Sequence, residues 1–456
     1  MKQSTVTDMT VGSPLGHLVR FTIPLLIGNL FQQVYNLVDS LVVGNYVGAG
    51  ALAAVGTCGS LNFLFFSLTS GLAIGMGILA AQAFGARDEK LLRETISSAA
   101  WILVLSSLFV TVIGCFAARP LLKLLQVPDS VLDDAQTYLV VTTLGTLAVA
   151  FYNGVSAILR ALGDSKTPLY FLILASIVNV VLDLLFVLKF HWDVFGVGMA
   201  TVLSQIASCV GSLIYAFLKV PYFRMSREEW KPQKSVVLRS LKIGIPMALQ
   251  NSIISISTMV LQGVVNSFGE DIMAAYTVIG RVEQLVQQPY SSLGTALTSY
   301  AGQNVGACKL RRVRQGFQVS VYMALIFSLA LLPVCFFFGN GIIGLFVKDA
   351  DVIQIGARGL MIDSLFYFSL GMIYVPRSLL NGCGDSTFAM INGTTEVICR
   401  ILFSQLLTRI AAVGYWGIFI TNGLTWTVTA LVCIHRYRFG SWRKLDSSGD
   451  TETVPA

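Results

Sequence analysis

The sequence contains few charged residues for its length. Of its 456 residues, 12% are Asp, Glu, Lys or Arg, whereas 55% are hydrophobic. A soluble domain carries about 25% charged residues, so this composition excludes a soluble fold and predicts an integral membrane protein. The net charge of +7 is spread over many short loops and forms no basic stripe. Binding to a nucleic acid is therefore not expected.

Residues that build catalytic and metal sites are also scarce. The chain has three isolated His, and its eight Cys occur singly, without a C-x-x-C pair. Neither disulfides nor zinc are therefore expected. A phosphate-binding loop of the Gly-x-x-x-x-Gly-Lys type and a nucleophile-base pair are missing too, so we predict neither an enzyme nor a bound cofactor. The first twenty residues lack the apolar core of a cleavable signal peptide.

The chain is rich in long apolar segments. Crossing a hydrocarbon core of about 30 Å takes about 20 apolar residues, and twelve segments meet this requirement. They cover residues 19–46, 53–84, 95–118, 135–159, 168–189, 194–218, 240–268, 273–302, 316–338, 355–380, 388–411 and 414–436. The predicted fold class is an all-α membrane protein with twelve transmembrane helices.

The loops between these segments differ in charge. Lys and Arg accumulate in alternate loops, among them residues 85–94, 160–167 and 309–314. Basic loops stay in the cytoplasm, which predicts that both termini are cytoplasmic. We expect a multi-pass protein of the plasma (inner) membrane that contacts the lipid bilayer and acts as a monomer.

The second half of the chain repeats the first at a nearly constant offset. RFTIP around Pro24 returns as KIGIP around Pro246, and Gly-Asp-Ser at 163–165 returns at 384–386. Six segments per half is an even number, so both copies enter the membrane from the same side as two pseudo-symmetric six-helix bundles. We predict an N-terminal bundle at residues 1–218, a cytoplasmic linker at 219–239, a C-terminal bundle at 240–436 and a cytoplasmic tail at 437–456.

The two Gly-Asp-Ser turns have a structural interpretation. Each lies between two apolar segments, where Gly can take the left-handed conformation and Asp or Ser can cap the following helix.

One acid, Asp39, lies inside the first apolar segment. A charge in mid-bilayer costs about 2.5–3.5 kcal/mol, so an acid there is a candidate for function. The alternative is a packing residue bonded to a neighbouring helix. Pro24 lies in the same segment and removes a backbone donor, which predicts a site where the helix can bend.

The order and spacing of several motifs resemble those of a known family. AQAFGA follows the second segment, LRALGDSKTP follows the fourth, and GVGMATVLSQ opens the sixth. With the proline and acid of the first segment, they are similar to the prokaryotic multidrug and toxic compound extrusion family over residues 14–440. The resemblance implies a secondary active transporter. Such a protein exports organic, usually cationic, compounds by alternating access in exchange for inward flow of H⁺ or Na⁺.

The resemblance also implies a cation-coupling site in the first half. Prokaryotic members build it from an acid in helix one, an Asn in helix four, an Asn and an acid in helix five, and a Thr in helix six. The matching positions are Asp39, Asn153, Asn179, Asp183 and Thr201. Asn179 and Asp183 are four residues apart and so share one helix face.

The repeat favours a dedicated site in the first half. Asp39 falls opposite Leu261 and Asp183 opposite Ser404, so neither acid is present in the second copy. Two carboxyls in apolar surroundings cannot both ionise cheaply, and a proton or a sodium ion can neutralise them. The residues do not separate these two ions.

Other charges lie in predicted transmembrane segments. Glu396 and Arg400 have the i,i+4 spacing of an intrahelical ion pair. Glu283 either faces a central cavity, where it would attract a cationic drug, or contacts a structural partner. Some branches of the family have an acid in helix seven, but this chain has none, so a second-half sodium site of that kind is not expected. Asp363 is a lone candidate for that role or a helix-end cap.

Residues that contact a substrate are the least specific prediction. Polyspecific sites use adaptable Met and aromatic side chains with few polar groups. The candidates for the substrate cavity are Gln32, Gln33, Tyr35, Asn36, Tyr152, Met247, Gln250, Met259, Glu283 and Tyr290. Packing explains any one of them equally well.

A flippase for a lipid-linked saccharide precursor is the alternative function. Such proteins handle an anionic pyrophosphate and would be expected to line their cavity with Arg and Lys. The charges that we assign to the membrane interior are instead five acids against three Arg, which favours the exporter of organic cations. They are Asp39, Asp183, Glu283, Asp363 and Glu396 against Arg281, Arg377 and Arg400.

Overall fold

The computed structural model describes residues 6–125, 127–440 and 442. Within these residues the chain forms fourteen α-helices, two π-helical turns and one short 3-10 turn. The first-half helices are α1 (Pro14–Val42), α2 (Ala49–Gly85), α3 (Glu89–Leu124), α4 (Asp129–Leu144), α5 (Thr146–Ala161), α6 (Lys166–Leu184) and α7 (Asp193–Lys219). The second-half helices are α8 (Lys234–Asn266), α9 (Glu270–Gly306), α10 (Leu310–Gly344), α11 (Ala350–Ser364), α12 (Tyr367–Gly382), α13 (Thr387–Leu407) and α14 (Trp416–Phe439).

The predicted all-helical membrane fold is confirmed. Among the described residues, eight helices are long and apolar enough to cross a membrane, or ten spans if each bent helix pair counts as one. Two predicted single segments, 135–159 and 355–380, are in fact bent pairs, with 44° between α4 and α5 and 48° between α11 and α12. The more polar α9 and α13 account for the remaining two of the twelve predicted segments.

The chain divides into two compact units. Unit 1 contains the described residues up to Asp8 and Ile23–Ala248, and unit 2 contains Met9–Thr22 and the described residues from Leu249 onward. Helix α1 thus changes unit just before Pro24, and α8 changes unit just after Pro246. The predicted bundle and linker boundaries stay a prediction, and most of the predicted tail lies outside the described residues.

The internal repeat is visible in the backbone of the two halves. Both α2 and α9 have 37 residues, and both α5 and α12 have 16. Positive φ angles recur at one fixed offset along the chain, in the pairs Gly48 and Gly269, Arg87 and Cys308, and Gly163 and Gly384. The two copies therefore share the conformation of their turns as well as the order of their helices.

The Gly-Asp-Ser turns differ in what their aspartates bind. Gly163 and Gly384 take the predicted left-handed conformation, with φ of 84° and 86°. Asp164 Oδ1 accepts hydrogen bonds from the backbone N–H groups of residues 166 (3.1 Å) and 167 (3.0 Å), which confirms the predicted cap. Asp385 instead pairs with Arg436 on α14, at 2.8 Å. The second turn is therefore held by an ion pair.

Candidate functional site

The two acids predicted for cation coupling meet in unit 1. Asp39 lies on α1 and is half-buried, whereas Asp183 lies on α6 and is buried. Their carboxyl groups are within hydrogen-bonding distance of each other. The Oδ1 atom of each is buried and meets no donor among the described side chains and backbone groups. Because a carboxylate can only accept hydrogen bonds, this contact requires a proton or a shared cation.

Asn179 connects Asp183 to the neighbouring helix. Its side chain is buried on α6, one turn before Asp183. In the amide orientation that satisfies both sides, Nδ2 donates to Asp183 Oδ2 at 2.9 Å and Oδ1 accepts from Thr201 N at 3.2 Å. The amide therefore holds Asp183 and links α6 to α7.

Asn153 is the one residue of the predicted cation-coupling site for which the structure shows no contact with the other four among the described residues. It lies on α5, and its Nδ2 atom is buried without an acceptor in the part of the chain that the structure describes. Asp39, Asn179, Asp183 and Thr201 are thus brought together, and the role of Asn153 in cation binding stays a prediction.

Each acid stands just before a π-helical turn. Asp39 precedes the turn Val43–Val47, Asp183 precedes the turn Leu185–Lys189, and the two turns contact each other. Buried apolar residues from these turns and from α4 and α7 form one cluster around them. Turns of this type interrupt the ordinary α-helical register and are frequent at functional sites. The sequence did not predict them.

Two tyrosines also reach this site. The Tyr35 side chain makes a hydrogen bond with that of Thr201 and lies near both acids. Tyr138 on α4 is buried and faces both acids. Tyr35 was predicted to line the substrate cavity, yet its position four residues before Asp39 puts it on the acid's face of α1. Tyr138 was missed, since no local spacing relates it to either acid.

The substrate candidates of unit 1 differ in accessibility. On α1, Gln32 and Asn36 are exposed and Gln33 is half-buried. The Tyr152 hydroxyl donates to a backbone carbonyl of α6 at 2.9 Å, and Met247 is buried in an apolar cluster. The polar face of α1 is therefore the surface that a ligand in unit 1 could touch without rearrangement.

The substrate candidates of unit 2 differ in the same way. Met259 is exposed and Glu283 is half-buried, whereas Gln250 is buried. Tyr290 is fully buried, and its hydroxyl lies 2.6 Å from that of Ser328. Tyr290 would have to move to touch a ligand. The cavity assignment of all ten residues stays a prediction.

The chain matches the MatE family model at residues 24–185 and 246–406, one stretch in each repeat. It is 30% identical to the probable multidrug resistance protein YpnP of Bacillus subtilis over 441 residues, which cover 96% of this chain and 98% of that relative. Another B. subtilis relative, the probable multidrug resistance protein YoeA, is 28% identical, and the match covers 93% of both chains.

Solved structures of similar chains have the same fold. A MATE structure in the bent conformation superposes with a TM-score of 0.92 at 22% identity, covering 99% of this chain and 100% of that one. An outward-facing multidrug resistance MATE transporter of the MOP superfamily gives a TM-score of 0.91 at 22% identity, covering 98% of this chain and 100% of the other. At such identity the likeness concerns the fold alone.

Proposed function

The chain belongs to the multidrug and toxic compound extrusion family of membrane transporters, and from this premise we propose that it exports amphipathic organic cations by secondary active transport. The observation that carries the proposal is the contact of the Asp39 and Asp183 carboxyls beside Asn179 and Thr201. A pair of acids in a membrane-spanning unit is costly unless a cation neutralises it, which makes the pair suited to coupling.

The coupling ion is H⁺ or Na⁺. A proton needs only the two carboxyls, whereas sodium also needs several other oxygen ligands. Asn179 Oδ1 accepts one hydrogen bond, from the Thr201 backbone, and keeps a second lone pair that could ligate a sodium ion. The arrangement therefore suits either ion, since the two carboxyls alone can hold a proton and the carboxylate, amide and hydroxyl oxygens together have the chemistry of a sodium site.

Exchange requires that drug and coupling ion prefer different states of the protein. In the proposed cycle, the drug binds from the cytoplasm to the monomeric transporter, the transporter opens outward, and the incoming cation neutralises the acid pair. Helix α1 runs unbroken through Pro24, the residue at which we propose that it bends when the acids change charge. That bend would move the polar face of α1 and release the drug.

Efflux of ethidium from cells that lack other exporters tests the acid pair. Asp39→Asn keeps the shape of the side chain and removes the charge, so we expect cation-driven export of the drug to be lost. The matched control is Asp133→Asn, since Asp133 is an exposed acid of the same unit on α4. Full efflux by a normally expressed Asp39→Asn variant would contradict the proposal.

Transport measurements in everted vesicles identify the coupling ion. Ethidium uptake is measured under an imposed proton gradient and then under an imposed sodium gradient. Uptake driven by one gradient assigns that ion to the pair. If neither gradient drives uptake by the wild-type protein, secondary active transport is wrong.

A further inference from the structure

A groove on the surface of unit 2 lies where α10, α11 and the start of α14 meet. Its volume is about 310 Å³. The residues that line this unit 2 groove are Phe336 on α10, Arg358, Met361, Ile362 and Leu365 on α11, and Trp416 on α14. The four α11 residues have the spacing i, i+3, i+4 and i+7, so together they form one face of that helix.

The opposite face of α11 packs inside unit 2 and brings α14 close. Gly359 is buried, and a Cβ atom built there would lie 2.8 Å from Phe419 Cε1, closer than real Cβ contacts allow. The Phe419 ring packs in turn against the Trp416 ring, with centroids 5.9 Å apart, and Tyr415 packs against Trp416 at 4.7 Å. These aromatic contacts hold the Trp416 indole at the edge of the groove.

Arg358 lies in a candidate membrane span without a counter-ion from the protein. The bent pair of α11 and α12 is long and apolar enough to cross a membrane, and Arg358 lies two turns, or about 12 Å, beyond the first residue of α11. Its side chain is exposed and makes no ion pair or hydrogen bond with any residue that the structure describes. A cation in a membrane span is costly and requires a partner, so this guanidinium needs an anion from outside the protein.

Two other arginines of unit 2 have partners within the protein. Arg400 on α13 donates to Glu396 Oε1 at 3.0 Å, and both side chains are only 8% exposed, which confirms the ion pair that their i,i+4 spacing predicts. The Arg377 guanidinium lies 4.7 Å from the centre of the Tyr374 ring. Arg358 has neither kind of contact among the described residues, which distinguishes it from these two structural cations.

The chemistry of the groove matches that of a phospholipid. A guanidinium fits two phosphate oxygens at once. The Trp416 indole N–H also has no acceptor among the described residues, and Trp is enriched where membrane meets water. Along α11 the cation comes first, and the apolar Met361, Ile362 and Leu365 follow deeper in the span. This is the order of headgroup and acyl chain in a lipid.

The charge of the groove discriminates among amphipathic molecules. Its described lining contains one cation and no carboxylate. An ammonium headgroup would therefore find no counter-ion there, and an organic cation would be repelled by Arg358. A free phosphate would leave the apolar lining uncovered. A lipid with a net negative headgroup satisfies both the guanidinium and the apolar face.

The corresponding positions of unit 1 lack both donors. At the fixed offset of the repeat, the counterpart of Arg358 is Thr137, and the counterpart of Trp416 is Phe195. The Thr137 hydroxyl donates to a backbone carbonyl of its own helix at 2.9 Å, and a Phe ring has no N–H group. The duplicated scaffold therefore does not require either donor, and both are particular to unit 2.

We propose that the unit 2 groove binds an anionic phospholipid. The phosphate accepts hydrogen bonds from the Arg358 guanidinium and the Trp416 indole N–H, and an acyl chain lies along Met361, Ile362 and Leu365. The site contains none of the unit 1 acids, and lipid binding there does not depend on the drug export proposed above.

Native mass spectrometry of the purified, delipidated protein tests the site. Protein in detergent is titrated with dioleoyl phosphatidylglycerol and, separately, with dioleoyl phosphatidylcholine. We expect the wild type to prefer phosphatidylglycerol, and Arg358→Gln to weaken its binding about tenfold or more. Arg358→Lys keeps the charge but loses the planar fork and should be intermediate. The control is Arg409→Gln, since Arg409 is an exposed arginine of unit 2 outside the groove lining, and this variant should bind as the wild type does.

A second variant and a stability measurement complete the test. Trp416→Phe keeps the ring and removes the N–H group, so phosphatidylglycerol binding should weaken about 2–10-fold. Without lipid, the unfolding temperature of Arg358→Gln should equal that of the wild type, and a lower value would show that Arg358 has a partner inside the protein.

Three outcomes would overturn the proposal. The wild type could bind both lipids equally well, or Arg358→Gln could keep the preference for phosphatidylglycerol. Finally, a dimer in lipid-free detergent that dissociates on Leu365→Gln would assign the groove to a second copy of the chain. Because no drug or ion gradient enters these measurements, their result is independent of whether the protein exports organic cations.

Discussion

At the residue scale, the acid pair of unit 1 depends on uncharged neighbours. Asn179 fixes Asp183 against α7, and Tyr35 contacts the Thr201 side chain beside both acids. Hydroxyl and amide groups contribute little net stability on their own, but they determine where the carboxyl oxygens point. Positions around the acids are therefore expected to tune cation affinity without abolishing it.

Tyr35→Phe tests this expectation. The change keeps the ring and removes the hydroxyl that contacts the Thr201 side chain, so cation binding should weaken by the value of one hydrogen bond. That value is about 0.5–1.5 kcal/mol, or an increase of about 2–10-fold in the half-saturating concentration of the coupling ion. The measurement is drug efflux against ion concentration in everted vesicles. Tyr170→Phe, an exposed tyrosine on α6, should leave the curve unchanged, and an equal shift in both variants would contradict the assignment.

The buried Arg400–Glu396 pair predicts that replacing Arg400 destabilises the protein more than replacing an exposed arginine. Arg400→Met leaves Glu396 buried without its cation, at a cost of about 3–5 kcal/mol, and adding Glu396→Gln should recover a large part of the loss. Unfolding in detergent measures both variants. The matched control is the Arg119–Asp133 pair, also at 3.0 Å but with side chains 50% and 81% exposed. Arg119→Met should cost less than about 1 kcal/mol. Equal losses at the two arginines would contradict the role of burial.

Spacing along one helix predicted the side-chain pairs that share a helix face. Asn179 with Asp183 and Glu396 with Arg400 were predicted to share a face because they are four residues apart, and each pair is bonded. Contacts between distant helices follow no such period. Tyr138 on α4 and Asp39 on α1 are separated by two whole helices, so only tertiary packing brings the tyrosine near the acid.

At the element scale, the apolar segments predicted the helices but not their interruptions. Hydropathy averaged over a span is insensitive to backbone register. The bends between α4 and α5 and between α11 and α12, and the π-helical turns after Asp39 and Asp183, were therefore missed. At these bends and turns the side chains no longer follow the 3.6-residue repeat of an α-helix. Local backbone irregularity near Asp39 and Asp183 is thus a feature that composition alone does not encode.

The crossing of α2 and α8 inside unit 1 predicts how glycine substitutions on α2 change the stability of the protein. A Cβ atom built at Gly75 would lie 2.6 Å from Gly244 Cα, closer than real Cβ contacts allow. Small residues at a crossing allow such close approach of two helices. Gly75→Ala should therefore destabilise the protein by about 1–3 kcal/mol through overpacking. Gly59→Ala on the same helix meets no atom within 4 Å and should be neutral or stabilising. Equal unfolding temperatures of the two variants would contradict the close approach.

At the scale of the whole molecule, one duplicated helical pattern has its acids at different positions in the two copies. The turns of the two copies match, yet the acids of unit 1 have no acid at the corresponding positions of unit 2, and the reverse holds for Glu283 and Asp363. The two copies therefore share a scaffold and differ in where they place titratable groups. Similarity of fold follows from the shared scaffold, whereas the position of each acid depends on the individual sequence.

The orientation of the molecule in the membrane can be tested with a native cysteine. Cys308 is exposed in the turn between α9 and α10, beside Lys309 and Arg311, so the charge of this loop predicts a cytoplasmic position. With the partly accessible Cys115 and Cys383 replaced by Ser, a membrane-impermeant maleimide should label Cys308 in everted vesicles and spare it in intact cells. Lys348→Cys, in the exposed loop after α10 and combined with Cys308→Ser, should show the opposite pattern. Labelling of Cys308 from outside intact cells would reverse the predicted topology and, with it, the side from which we propose that the drug binds.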